Sequence, residues 1–254
     1  FKTVFVDAAT GLPHVPNGSL GFRFNESGMG KWNLDLENVD PALSLHGASS
    51  TENVEVLLPR FDVGKSDNEG GGIHVNGEGA VLVTRTVQLG SGRNETWTAE
   101  QVEAELRRTL GVDRVIWIER GLTRDYERFG TRGHIDIVAC FAGPNTVLFH
   151  DQRNPEHPDH AVSAEVRKRL EAESDLRLVA VPAPDVLRDD EGWVDYSYIN
   201  HLVVNGGVIL CSFDDPGDER AAAILSEAYP DREVVLVDAR PLFARGGGIH
   251  CITQ

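Results

Sequence analysis

One pattern recurs along this 254-residue chain, and it limits the fold more than any figure of composition. Two β-rich runs flank a tight polar turn, an amphipathic stretch follows, and an apolar strand closes the unit. The clearest copy starts at Gly72 with GIHVNGEGAVLVTRTVQ, where Asn-Gly-Glu-Gly is the hairpin turn. Thr98 and Gln101 then form a Thr-x-x-Gln capping box ahead of QVEAELRRTLG, and RVIWIE reads as the strand. The order returns as HIDIVACF, TVLFH, AEVRKRLEAE and LRLVAV, and again as YINHLVV, VILCSF, DERAAAILSEAY and EVVLVDA. These hairpins open at Ile73, Ile135 and Ile199, roughly sixty residues apart, a workable period for a ββαβ unit.

A degraded copy is expected over residues 1–59, with FKTVFV and GFRF as its hairpin, a helix near Val39 to His46 and the strand VEVLLP. The last residues, IHCITQ, read as the opening strand of a further unit, so the expected units are 1–59, 73–119, 134–182 and 198–238 with a closing strand at 249–254. Such units cannot bury their apolar faces alone and must pack on one another. The expected architecture is therefore a single α/β domain, a pseudo-symmetric α/β propeller of repeated ββαβ units. A three-layer α/β sandwich is the competing reading, and it explains the regular hairpins less well. Because FKTVFV already reads as a strand, the chain is expected to start inside the fold, without its N-terminal part.

Acids outnumber bases by 40 to 24, giving a formal charge of -16. A surface of that sign repels phosphate backbones, which argues against nucleic acid and mildly favours cationic ligands. Cys140, Cys211 and Cys251 have no paired spacing, which points to free thiols in a reducing compartment, and no apolar run is long enough for a membrane helix. The expectation is a cytoplasmic protein with no membrane association.

Reactive residue types gather where the hairpins open: Glu69 before GGGIH, His134 and Asp136 in GHID, and Cys251 in GGGIHC. If HIDI is a strand, His134 and Asp136 share one face, whereas His250 and Cys251, as adjacent strand residues, face apart. On that reading His134 rather than His250 is the base for Cys251. Each of these residues also has an ordinary role, a buried thiol or a hydrogen-bonded histidine, and only their coincidence at matching positions points to catalysis. A metal site built from His74, His134, Asp136 and His250 is the rival, but neither an HExxH helix nor close-spaced cysteines accompany it, so no metal is expected.

EGGGIHVNGEG resembles the agmatine deiminase pattern EGGsIHvdGeG, GHIDIVACF resembles its GHvDnlACF, and GGGIHCITQ resembles its GGnIHCITQ ending. SGRN, the YIN of Tyr198 to Asn200 and FNESGMGKW add weaker matches. The chain thus resembles the agmatine deiminase and bacterial-type peptidylarginine deiminase family of guanidino-group-modifying enzymes. The resemblance implies a five-bladed α/β propeller (pentein-like) and cofactor-free hydrolysis of agmatine to N-carbamoylputrescine and ammonia. It also implies Cys251 as nucleophile, His134 as general acid/base, Glu69 as the carboxylate orienting it, and Asp136 as the guanidinium-binding carboxylate, with Gly247 and Gly248 lining the substrate site. The thiol suits the task, because a guanidinium carbon is a poor electrophile and thiolate is a strong nucleophile near neutral pH.

The family's Arg-Asp-x-Gly-Pro motif is expected upstream of Phe1, outside this chain, and the FN segment lacks its tryptophan. LTRDYERFGTR is longer and more basic than the turn expected before GHvD. Its Arg124, Arg128 and Arg132 either form a solvated loop or bind a substrate carboxylate, which would favour arginine or peptidyl-arginine. Other readings stay open: a catalytically inactive binder of a guanidino ligand, or an amidase with an oxyanion hole from the Gly247 and Gly248 amides. An incomplete ring would leave a sheet edge through which two copies could dimerise.

Overall fold

The computed structural model describes residues 68–253 and, before them, four short strands: β1 (Phe5–Val6), β2 (Pro13–His14), β3 (Phe22–Arg23) and β4 (Asn33–Leu34). The chain divides into two compact units, Phe1–Val63 and Gly64–Gln254. In the first, β1 pairs antiparallel with β2 and β3 with β4, so FKTVFV and GFRF do not pair with each other as expected. Nearer partners need shorter loops, which cost less entropy to close. The expected helix at 39–46, the strand VEVLLP and the segment FNESGMGKW lie outside the described residues.

The second unit contains the ββαβ pattern three times. The first copy runs β5 (Ile73–Val75), β6 (Ala80–Thr84), α1 (Ala99–Leu110) and β7 (Arg114–Ile118). The second runs β8 (Ala139–Gly143), β9 (Thr146–Asp151), α2 (Asp159–Glu171) and β10 (Arg177–Pro182). After a small hairpin, β11 (Arg188–Asp189) with β12 (Gly192–Trp193), the third runs β13 (Leu202–Val204), β14 (Gly207–Ser212), α3 (Gly217–Ala228) and β15 (Glu233–Asp238). Each copy folds as its own three-stranded sheet, in which the middle strand pairs antiparallel with the first and parallel with the third.

Local chemistry explains these elements. At the first hairpin Asn76 Oδ1 accepts from the amides of Glu78 (2.8 Å) and Ala80 (2.9 Å), and Gly77 and Gly79 take the positive φ the turn needs. Helix α1 starts at the Thr98–Gln101 capping box and stops at Gly111 in the left-handed conformation. The middle strand β6 is buried on both faces and splits by parity. Ala80 and Leu82 join the large core that runs through the second and third copies, while Val81 and Val83 pack with Val102, Leu106 and Trp117 beneath α1.

Two expected strands differ from the reading: HIDIVACF is strand only from Ala139, and IHCITQ forms none among the described residues. Ile135–Ile137 is a turn of 3-10 helix with Ile135, Asp136 and Ile137 all buried, so the alternation that placed His134 and Asp136 on one face does not apply. The cause lies upstream: the carboxylate of Asp125 accepts from the amides of Thr131 (2.7 Å), Gly133 (2.6 Å) and His134 (3.1 Å), coiling the chain ahead of β8. The C-terminal IHCIT is likewise a turn rather than a closing strand. Thr253 donates its amide to His250 O (3.0 Å) and its hydroxyl to Ile249 O (2.9 Å), bonds that compete with a sheet ladder.

Candidate active site

Because 249–253 turns back on itself, His250 and Cys251 do not face apart. Both reach the same carboxylate. Asp136 Oδ2 lies 2.9 Å from His250 Nδ1 and accepts from Cys251 Sγ at 3.3 Å. Asp136 is 1% exposed, and its other oxygen, Oδ1, has no hydrogen-bond partner among the described residues. A buried carboxylate oxygen without a donor is costly and marks a place where a donor is missing.

Asn200, fully buried, ties the same corner together. Its Nδ2 donates to Cys251 Sγ (3.1 Å) and to Asp136 O (3.3 Å), and its Oδ1 accepts the His250 amide (2.9 Å). The glycine run explains why the loop can come so close. A Cβ at Gly247 would sit 2.9 Å from Cys251 Sγ, and one at Gly248 would sit 2.5 Å from Asn200 Oδ1, so any larger residue would displace the thiol or the amide. Gly247 therefore borders the thiol and Gly248 borders the Asn200 amide. Burial, followed by the negative charge of Asp136, pushes the Cys251 thiol above the usual thiol range, while the Gly248 amide and Asn200 pull it down. Cys251 is only partly buried, whereas Cys140 and Cys211 are buried and pushed up to about 12 by that burial.

His134 approaches from the other side. A Cβ at Gly71 would lie 2.5 Å from His134 Nδ1 and 2.6 Å from Asp136 Oδ2, so the imidazole and the carboxylate border one small space that only a glycine leaves open. His134 Nε2 is hydrogen-bonded to Glu69 Oε2. Arg93 Nη2 donates to that same oxygen at 2.5 Å and to Thr131 O at 2.8 Å. The His134 bond first, and Arg93 after it, hold the Glu69 carboxyl down at about 2 against partial burial. With Nε2 engaged by Glu69, Nδ1 is the nitrogen that borders the same space as Asp136 Oδ2.

All four reactive residues expected from the sequence thus meet at one place, and four further residues support them without a sequence signal that assigns their role. His250 was set aside on the strand argument. Asn200 and Arg93 lie in YIN and SGRN without an assigned role, and Asp125 sits in the basic loop. The arginines of that loop are largely committed. Arg124 binds Asp189 (2.6 Å) and Glu191 (3.1 Å), Arg132 donates to Ser91 O (3.2 Å), and Arg128 lies over the Phe129 ring. Among the described residues no group of three or more His, Cys, Asp or Glu is arranged to hold a metal ion, and no helix is long and apolar enough to cross a membrane.

Residues 3–254 match the family described as Porphyromonas-type peptidyl-arginine deiminase. A Streptomyces coelicolor protein named provisionally as agmatine deiminase is 59% identical over 193 residues, covering 74% of this chain and 57% of its own length. The agmatine deiminase of Pseudomonas syringae pv. syringae is 35% identical over 246 residues, covering 88% of this chain and 63% of its own. This chain therefore spans somewhat more than half the length of these relatives. Among solved structures, a C. jejuni agmatine deiminase, a cysteine-to-serine variant with substrate bound, superposes with a TM-score of 0.67 at 26% identity over 80% of this chain and 62% of that one. The Enterococcus faecalis agmatine deiminase does so with a TM-score of 0.67 at 29% identity, over 73% and 56%.

Proposed function

The chain belongs to the Porphyromonas-type peptidyl-arginine deiminase family, and from that premise we propose that it hydrolyses a guanidinium group through Cys251, with agmatine as substrate and N-carbamoylputrescine and ammonia as products. The observation that carries this reading is Asp136: a buried carboxylate with one oxygen unpartnered and the other 3.3 Å from a thiol. A guanidinium would supply the missing donor to Oδ1 and set its planar carbon beside the sulfur. Its positive charge would also offset the charge of Asp136 that holds the thiol protonated, so the cation itself favours thiolate.

The Cys251 thiol passes its proton to His134, and the sulfur attacks the guanidinium carbon, forming the S–C bond as the carbon–nitrogen π bond opens onto nitrogen. His134 gives a proton to the departing nitrogen as the C–N bond breaks and ammonia leaves. The resulting S-alkylthiouronium is cleaved by water, whose proton His134 takes and then returns to the sulfur as the C–S bond breaks. Glu69, kept ionised, steadies the imidazole throughout. Agmatine is preferred over arginine because Arg124 and Arg132 are already bonded within the protein, leaving fewer cations for a substrate carboxylate. Assay of ureido product from agmatine, arginine and an arginyl peptide tests the reading. Product is expected from agmatine alone and lost in Cys251→Ala; product from the variant at the wild-type rate would overturn it.

The ββαβ copies are further proposed to close into a ring. Helix α3 of the third copy packs on β10 of the second, while β15 leaves Val235, Leu236 and Val237 exposed, as expected of a strand that receives the helix of a following unit. A second copy of the chain covering β15 is the alternative, and sedimentation distinguishes a monomeric ring from a dimer. A cytoplasmic setting is proposed from the three free thiols.

A further inference from the structure

Nothing in the motif chemistry assigns a task to Asn200, yet its side chain touches the sulfur. We infer that Asn200 is a catalytic residue whose side-chain N–H is the side-chain hydrogen-bond donor that stabilises the Cys251 thiolate for attack, an inference that takes the cysteine chemistry proposed above as its setting.

Besides the Gly248 backbone amide, the thiol has two side-chain neighbours of opposite use. It donates to Asp136 Oδ2 at 3.3 Å and accepts from Asn200 Nδ2 at 3.1 Å. When the proton leaves, the first interaction turns from a hydrogen bond into a repulsion between two anions, whereas the second becomes charge-assisted and stronger. Asn200 is thus poised to favour the ionised sulfur, and it acts in the direction opposite to Asp136 on the thiol's proton affinity.

The amide has little freedom to turn away. Its Oδ1 is held by the His250 N–H at 2.9 Å, which fixes which end of the side chain faces sulfur, since a flipped amide would set two N–H donors against each other. Its own backbone carbonyl accepts from the Cys211 thiol at 2.8 Å, and the residue has no solvent-exposed surface. Gly248 leaves the space the amide fills. Such a donor, fixed in advance and shielded from water, needs no reorganisation when charge appears on the sulfur.

The test is the pH dependence of Cys251 alkylation by iodoacetamide, followed by peptide mass spectrometry in the full chain and in Asn200→Ala and Asn200→Asp. Asn200→Asp keeps an acceptor for the His250 N–H but has no donor for sulfur. Both variants are expected to shift the alkylation profile to higher pH by about one unit or more, slowing the reaction at pH 8 about tenfold, with melting temperatures recorded to confirm folding. If Asn200 only props the loop, profiles matching the wild type with impaired turnover would overturn the inference. Should both variants fail to fold, the wild-type Asn200 side-chain NH2 resonances decide: they are expected to shift as the thiol titrates, and resonances that stay fixed would refute the contact. Alkylation needs no guanidino substrate, so an absence of deiminase turnover would count against the proposed activity and leave this result readable.

Discussion

Two histidine–carboxylate pairs stand within a few residues of each other in this site, and they are built differently. His134 meets Glu69, whose side chain is half exposed and whose charge is already answered by Arg93. His250 meets Asp136, which is buried, has no arginine or lysine bonded to it among the described residues, and keeps one oxygen unpartnered. The first is a completed network that can orient an imidazole and hold its partner ionised. The second is an incomplete one, stable only at a cost that an arriving cation would remove. The same two residue types therefore serve positioning in one case and ligand capture in the other, and burial with the presence or absence of a neighbouring guanidinium decides which.

That contrast can be broken by mutation. The largest effect is expected from Cys251→Ala, which should lower turnover by about 10⁶ or to background, as removal of a nucleophile does elsewhere; ureido product formation measures it. Next comes Asp136→Asn. Turnover should fall by about 10³ with a raised KM, while iodoacetamide should modify Cys251 faster at pH 8, because the charge that keeps the thiol protonated is gone. If thiol reactivity and turnover fell together, Asp136 would be a structural support and the contrast between the pairs would collapse.

Smaller effects are expected on the other pair. Glu69→Gln should reduce kcat by about 10² with KM for agmatine little changed, since it loosens the acid/base without touching the cation. Arg93→Ala should cost only a few-fold, because His134 remains bonded to Glu69, and a steady-state split of kcat from KM separates both from Asp136→Asn. The pH dependence of stability adds a last, mild test. Glu69 has its folded pKa lowered to about 2, so its contribution is present above the ordinary carboxylate range and is lost as pH falls through about 2. Buried His74 and His201 are lowered to about 4 by desolvation and must charge on unfolding. Their contribution is complete above about 6.5 and lost as pH falls toward 4, so melting temperature should decline across that window before Glu69 titrates.

Much of the architecture was legible because it is periodic. Alternating apolar runs, the Asn76–Gly79 turn and the Thr98–Gln101 capping box are local signals, and each appears as read. Local signals also misled where long-range bonds outweigh them. HIDI alternates like a strand, yet Asp125, nine residues before His134, gathers the intervening amides and coils it. IHCITQ reads as β-rich, yet Thr253 bonds back to Ile249 and His250. The members of the site were visible as residue types at matching positions. Their arrangement was not, because the meeting of Asp136 with residues 114 and 115 positions later depends on how the units pack.

The most direct test is to acid-quench the chain with agmatine and weigh the peptide that carries Cys251. An amidino adduct on that cysteine in the wild type, absent in Asp136→Asn although its thiol alkylates faster, is what a cation captured beside the sulfur requires. Adduct at the wild-type level without the Asp136 charge, or ureido product from a chain whose Cys251 never carries an adduct, would contradict it.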